Sequence, residues 1–294
     1  MKNSLAMLAV TAILVGGGPA FVREVHAGPL VQVVELSGYR PRFDLSPDPL
    51  FIRYMLIDPS NAVPADGFEP LDPIAVLMLF IGGNGKLNLA LLQQNTGSTN
   101  FVARTRYHFA AERYVVALVD AASDFLDLGE GLTGHRQPHQ LHGDKYLLDL
   151  EAVMSDLRTR YRALPLWAVG TSRGTIGAAV AAAYAAAPPD GIVLTSSLTG
   201  PSGAGDLQTV DIESINVPAL IAAHQGDACP ATNPGDATAL KNRFTSSPLA
   251  ELVTFTGGSA PLSGPCDPLS PHGFFGIEQK VIGAVTKWIK KAEK

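Results

Sequence analysis

A serine framed by glycines, Gly170-Thr171-Ser172-Arg173-Gly174, is the group in this chain whose surroundings best suit it to chemistry. A seryl hydroxyl becomes a useful nucleophile on a sharp strand-to-helix turn, where it stands above a sheet edge and where flanking side chains would collide with neighbouring backbone. The apolar run 166–169 ahead of the motif reads as a strand, and the small-residue run 175–187 behind it reads as a helix. The start of that helix would aim N–H groups and partial positive charge at a forming oxyanion.

Such a hydroxyl needs a base to take its proton. On turns of this kind the partners follow in the order serine, acid, histidine. His272 is the only histidine after position 224, and it lies in Ser270-Pro271-His272-Gly273, between the last expected strand and the last expected helix. Asp227 follows the apolar run 218–223 and would orient the imidazole and stabilise the imidazolium. Asp236 and Asp267 are rival acids, the first of them equally readable as a helix-start residue. For the oxyanion, the N–H of Arg173 supplies one donor, and the loop Ile81-Gly82-Gly83-Asn84-Gly85 supplies a second, at Gly83 or its neighbour Asn84. That loop lacks the G-x-x-x-x-G-K-S/T spacing of a phosphate cradle, and no acidic partner pattern supports a dinucleotide.

The chain has only two cysteines, Cys229 just after Asp227 and Cys266 just before His272. In an oxidising compartment they would form a disulfide tying the acid loop to the base loop; two free buried thiols are the alternative.

Taken together, Gly170 to Gly174, Asp227, His272 and the Gly82-Gly83 loop resemble the α/β-hydrolase superfamily over most of the chain after residue 27. The resemblance implies a carboxylic ester, thioester or amide substrate, a covalent acyl-enzyme and no cofactor. The family pattern places a histidine before the loop glycines, where this chain has Ile81, and commonly an uncharged residue after the serine, where it has Arg173.

The elements that must position these groups follow from the hydrophobic pattern. Continuous apolar runs at 74–81, 114–119, 166–169, 191–195, 218–223 and 249–255 suit strands buried on both faces. Helical spacing fills 100–112, 145–161, 175–187, 236–244 and 277–290 between them. The alternation predicts an α/β fold, a mainly parallel central sheet with helices on both faces. Runs 31–36 and 51–57 read as early strands pairing antiparallel at one edge. In helix 145–161, Asp149, Asp156 and Arg160 read as the polar face and Leu148, Ala152 and Leu157 as the apolar one. The stretch 197–216 is too short for a large lid domain.

Residues 1–27 read as an export signal: Lys2, an apolar run over 5–15, a Gly-Gly-Gly-Pro break, and small residues before a cleavage point after Ala27. Eleven apolar residues fall short of the roughly 18–20 that span a bilayer. Residues 28–294 are then a single hydrolase domain, periplasmic or secreted, with no stable membrane insertion after cleavage. A net charge of −5 with no basic block leaves no footprint for nucleic acid. His135, His139 and His142 cluster, but Pro138 disrupts helical ligand spacing and no carboxylate or thiolate pattern joins them, so they read as a polar surface loop rather than a metal site. Asp120 ends a strand at the same edge as Ser172, as a pocket residue or as a turn residue. The functional expectation is a serine esterase acting on a small-molecule ester or amide. The alternatives are a peptidase or amidase of the same fold and a non-catalytic binding protein that retains it.

Overall fold

A computed structural model of the chain describes residues 21–26, 31–61, 70–202 and 204–294. One sheet runs through them in the order β1-β2-β3-β5-β4-β6-β7-β8-β9. Its strands are β1 (Phe21–His26), β2 (Val31–Ser37), β3 (Phe51–Ile57), β4 (Ala75–Phe80), β5 (Tyr114–Val119), β6 (Leu166–Ser172), β7 (Gly191–Ser197), β8 (Ala219–His224) and β9 (Ala250–Phe255). The helices are α1 (Phe101–Arg104), α2 (Arg106–Ala111), α3 (Ser123–Leu126), α4 (Gly143–Arg160), α5 (Gly174–Tyr184), α6 (Ala237–Arg243) and α7 (Glu278–Ala292). β2 and β3 pair antiparallel at the edge, as their sequence spacing predicts, and β3 pairs antiparallel with β5. The pairs among β5, β4, β6, β7, β8 and β9 are parallel.

The two-residue period of a strand divides the core. Val76, Met78 and Phe80 of β4 pack on one side with buried residues of α4, α5 and α6. Ala75, Leu77 and Leu79 pack on the other side with residues of α1, α2 and α7. The runs of β4 and β5 are unbroken because both faces are covered, but β9, expected from 249–255 to be buried on both faces, is the edge strand, carries Glu251 and Thr254 and is only partly buried. Strand order reverses direction around β4, with β5 on one flank and β6 on the other, so the loops leaving β4 and β6 meet at a crevice where ligands of open parallel sheets bind. The connection from β7 to β8 holds two short 3-10 turns among its described residues.

Three further expectations are corrected. Helix 100–112 is two helices, interrupted at Thr105, whose hydroxyl donates to Phe101 O at 2.7 Å; a threonine bonding back to the preceding turn bends a helix. The faces of α4 are also rotated from the expected ones: Leu148 is 41% exposed while Asp149 is fully buried. Its buried stripe is Tyr146, Leu150, Val153, Met154 and Leu157, the i, i+4, i+7 spacing of one face. Asp149 goes inside because Arg40 Nε meets its Oδ1 at 2.7 Å and Tyr39 Oη donates to the same oxygen at 2.6 Å. Last, the histidine segment is a surface loop only in its second half: His139 is exposed, but His135, Arg136 and Gln137 are buried, with His135 Nδ1 2.5 Å from Leu141 O and the His142 ring stacked 3.8 Å from that of Phe43.

The expected leader lies outside the described residues except for β1, which pairs with β2 from Phe21↔Ser37 to His26↔Gln32. Cleavage after Ala27 would remove β1 and leave β2 as the sheet edge.

Candidate active site

Ser172 ends β6 with φ 53°, a left-handed conformation that costs a non-glycine residue about 1 kcal/mol or more. The register of β6 against β7 shifts between Thr171 and Ser172, so Ser172 pairs with Ser197. A β-bulge of this kind re-aims a side chain at the rim of a sheet. Two hydroxyls hold the turn: Thr175 Oγ1 donates to Ser172 O at 2.6 Å, and Thr195 Oγ1 donates to Gly170 O at 3.0 Å. The motif glycines are required by contact. A Cβ on Gly170 would lie 2.3 Å from Gly174 O, and one on Gly174 would lie 2.2 Å from Phe80 O.

His272 lies in a 3-10 turn after β9, where Ser270 Oγ accepts its backbone N–H at 3.2 Å. Its carbonyl accepts the hydroxyl of Ser196, whose neighbour Ser197 pairs with Ser172. That contact fixes the His272 turn to the strand edge that carries Ser172. Asp227 follows β8, and its Oδ2 is 3.0 Å from His272 Nδ1. Both side chains are buried, the carboxylate more completely, at 6% and 1% exposure for histidine and aspartate. Asp227 Oδ1 accepts the Cys229 N–H at 3.0 Å. Of the three acids weighed from sequence, Asp227 is the one that reaches the imidazole. Asp236 accepts the hydroxyl of Thr199 at 3.1 Å, and Asp267 accepts the Gly264 N–H at 3.2 Å.

Cys229 and Cys266 form a disulfide. It joins the Asp227 loop to the segment leading into His272, so the backbone amide that holds the carboxylate is covalently tied to the imidazole's loop.

On the other side of the serine, the loop after β4 turns back, with Gly85 N–H donating to Gly82 O at 3.3 Å. The closest approach is made by Gly82, where a Cβ would lie 2.9 Å from Ser172 Cβ. Gly83, the residue picked from sequence, has φ 59° and open space around it. Arg173 begins the turn into α5, where first-turn N–H groups have no intrahelical acceptor. Neither the Gly83 nor the Arg173 N–H donates to a protein acceptor among the described residues. Asp120 fits both of its readings: it lines a small cavity with Phe80, Gly85 and Arg136, burial raises its pKa, and its oxygens accept the N–H groups of Leu87 and Leu89 at 2.7 Å, which fixes the far end of this loop.

Two residues at the site escape sequence reasoning. Thr232 is buried, donates its hydroxyl to Asp227 Oδ2 at 2.9 Å and lies 3.0 Å from His272 Nδ1. Arg104 bonds Gly273 O and pairs with Glu278 at 2.9 Å, bracing the loop that carries His272. A lone threonine or arginine carries no motif, and both contacts come from chain segments remote in sequence.

No family model and no curated protein matches the chain in sequence. Solved structures do match its fold. A thermostable carboxyl esterase from Bacillus coagulans, in complex with glycerol, superposes with a TM-score of 0.54 at 13% identity, covering 89% of this chain and 99% of the other. Est1E from Butyrivibrio proteoclasticus, with ferulic acid bound, gives 0.55 at 14% identity, covering 84% and 98%. An alpha-beta serine hydrolase homologue from Coxiella burnetii gives 0.52 at 16% identity, covering 81% and 91%. The chain has the α/β-hydrolase fold.

Proposed function

We propose that the chain is a serine hydrolase of carboxylic esters, with Ser172 as nucleophile, His272 as general base and acid, and Asp227 as the residue that orients His272. The observation that carries this reading is the 3.0 Å contact between Asp227 and His272 at the strand edge where Ser172 holds its left-handed turn. With Nδ1–H donating to Asp227, the neutral imidazole keeps Nε2 as an acceptor. That nitrogen takes the Ser172 proton as Oγ attacks the carbonyl, and Asp227 stabilises the resulting imidazolium. The N–H groups of Arg173 and Gly83 receive the oxyanion, and collapse of the tetrahedral intermediate expels the alcohol with the proton from His272. Water then repeats the sequence on the acyl-enzyme. Ser172 Oγ makes no hydrogen bond among the described residues; contacts of this kind tighten when substrate binds. The esterases among the structural neighbours favour an ester over an amide.

The test is intact-mass analysis after exposure to a fluorophosphonate, alongside hydrolysis of short p-nitrophenyl esters. One adduct per chain, absent in Ser172→Ala, is the expected result. Folded protein that takes no adduct and cleaves no ester would leave a binding protein on a hydrolase fold. Export to the periplasm or medium belongs to the same reading: the disulfide suits an oxidising compartment, and no helix among the described residues is long and apolar enough to cross a membrane. N-terminal sequencing of exported protein should begin at Gly28; an N-terminus retaining β1 would contradict it.

A further inference from the structure

Two arginines flank the expected oxyanion loop, Arg136 bonded to it and Arg173 directly after Ser172, with no carboxylate paired to either among the described residues. Arg136 is 3% exposed, and its Nη1 donates to Gly83 O at 3.1 Å. Its Nη2 lies against the same loop, 2.7 Å from where a Cβ on Gly85 would stand. Arg173, half-buried, directly follows the nucleophile, and its Nη1 is shut off from solvent with no hydrogen-bond partner. Burial, opposed by Tyr146, lowers the pKa of Arg136, and the nearby charge of Arg173 lowers it further.

Three other well-covered arginines have firm acceptors for most of their donors. Arg40 sits between Asp124 and Asp149, each at 2.7 Å. Arg53 meets Glu35 at 2.8 Å. Arg106, which has no carboxylate, bonds Ala103 O and Asn95 Oδ1 through its two Nη atoms and leaves its Nε unpaired. Arg173 differs in that no side-chain nitrogen of it has a hydrogen-bond partner among the described residues, and it stands directly after Ser172. A guanidinium N–H shut off from solvent without an acceptor is costly, and a second positive charge nearby adds to the demand for an anion, so an anion that reaches Arg173 Nη1 would satisfy it and offset the charge of Arg136. The planar fork of a guanidinium matches a carboxylate, which can accept from both residues.

We infer that Arg173 and Arg136 form a subsite for a carboxylate on the substrate, so that the preferred substrates are esters with a free acid group close to the scissile carbonyl, such as half-esters of dicarboxylic acids. This deepens the esterase reading and rests on it. The competing role for the two charges is stabilisation of the oxyanion itself, which would act equally on every ester.

Two matched substrate pairs separate these roles: p-nitrophenyl hydrogen glutarate against p-nitrophenyl valerate places the acid on the acyl side, and 4-carboxyphenyl acetate against phenyl acetate places it on the alcohol side. In at least one pair the anionic member should be preferred in kcat/KM. Arg173→Gln should lower that preference by about 10–100-fold, chiefly through KM, the range expected for losing hydrogen bonds to a charged group. Arg173→Lys should recover part of it. Neutral preference in both pairs, or an equal loss on both members of a pair, overturns the inference. Binding is read without turnover by melting Ser172→Ala with monomethyl glutarate and with 4-carboxyphenyl acetate. A rise in Tm with one of them that disappears in the Ser172→Ala, Arg173→Gln double variant supports the subsite even if Ser172 proves not to be a nucleophile. Fluorophosphonate labelling of Ser172 without any such preference or Tm rise keeps the hydrolase reading and removes the subsite.

Discussion

Replacing Asp227 with asparagine alters little but a charge, and its effect on turnover can be worked from the contacts. Oδ1 accepts the Cys229 N–H at 3.0 Å, and the asparagine carbonyl keeps that bond. The amide nitrogen then occupies the place of Oδ2, 2.9 Å from Thr232 Oγ1 and 3.0 Å from His272 Nδ1. Being a donor, it can pair with Nδ1 only if that nitrogen is unprotonated. The imidazole proton moves to Nε2, and the nitrogen that should accept from Ser172 becomes a donor. Loss of the correct tautomer and of imidazolium stabilisation in such an arrangement is worth about 10⁴ in kcat, or roughly 5.5 kcal/mol of barrier. The Cys229 bond is kept and the Thr232 contact reverses, its oxygen accepting from the amide while its proton loses the carboxylate, so folding stability should fall by about 1–3 kcal/mol. The assay is kcat for p-nitrophenyl acetate on wild type and Asp227→Asn, with thermal melts to establish that both are folded. A folded variant within tenfold of wild type refutes the assignment of Asp227 and the tautomer argument.

Three further outcomes are expected. Gly82→Ala places a Cβ 2.9 Å from Ser172 Cβ and 3.2 Å from Thr171 O, so the loop must retreat; kcat should fall on the order of 10²-fold, with a modest loss of Tm, and an unchanged kcat would detach this loop from the reaction. Removing the disulfide by Cys229→Ser with Cys266→Ser frees a 37-residue span, which should destabilise by up to about 4 kcal/mol and lower kcat through the loops of Asp227 and His272; denaturant melts and rates that match wild type would contradict this. Asp149 is the pH-sensitive group: burial, against Arg40, pushes it up from 3.8 to about 6, so between those values the folded chain holds more protons than the unfolded one and stability falls as pH rises. Asp149→Asn lacks that slope and should gain on wild type by on the order of 2–3 kcal/mol between pH 4 and 7, whatever its offset; parallel stability curves would refute the sign.

The sequence by itself determined the strands and the chemistry-bearing loops. Apolar runs marked β4 to β8 because a strand covered on both faces has few polar positions to spare, whereas the edge strand β9 carries Glu251 and Thr254 and is only partly buried; the Ser172 turn was legible because its glycines answer local backbone contacts. The order of Ser172, Asp227 and His272 and the single pair of cysteines needed no three-dimensional information. Tertiary structure decided what depends on partners distant in the chain. Asp149 reads as a polar-face residue until Arg40, more than a hundred residues earlier, follows it into the core. Helical periodicity cannot report a buried ion pair. Gly82 rather than Gly83 presses on Ser172 because the retreat of the β4 loop depends on its meeting with β6. Thr232 joins Asp227 and His272, and Arg136 bonds the Gly83 carbonyl, only once separate loops arrive at one edge. Hydrophobic pattern and turn chemistry act between near neighbours and are written in order along the chain. Polar satisfaction in a buried site acts across space, and only the packed sheet brings its partners together.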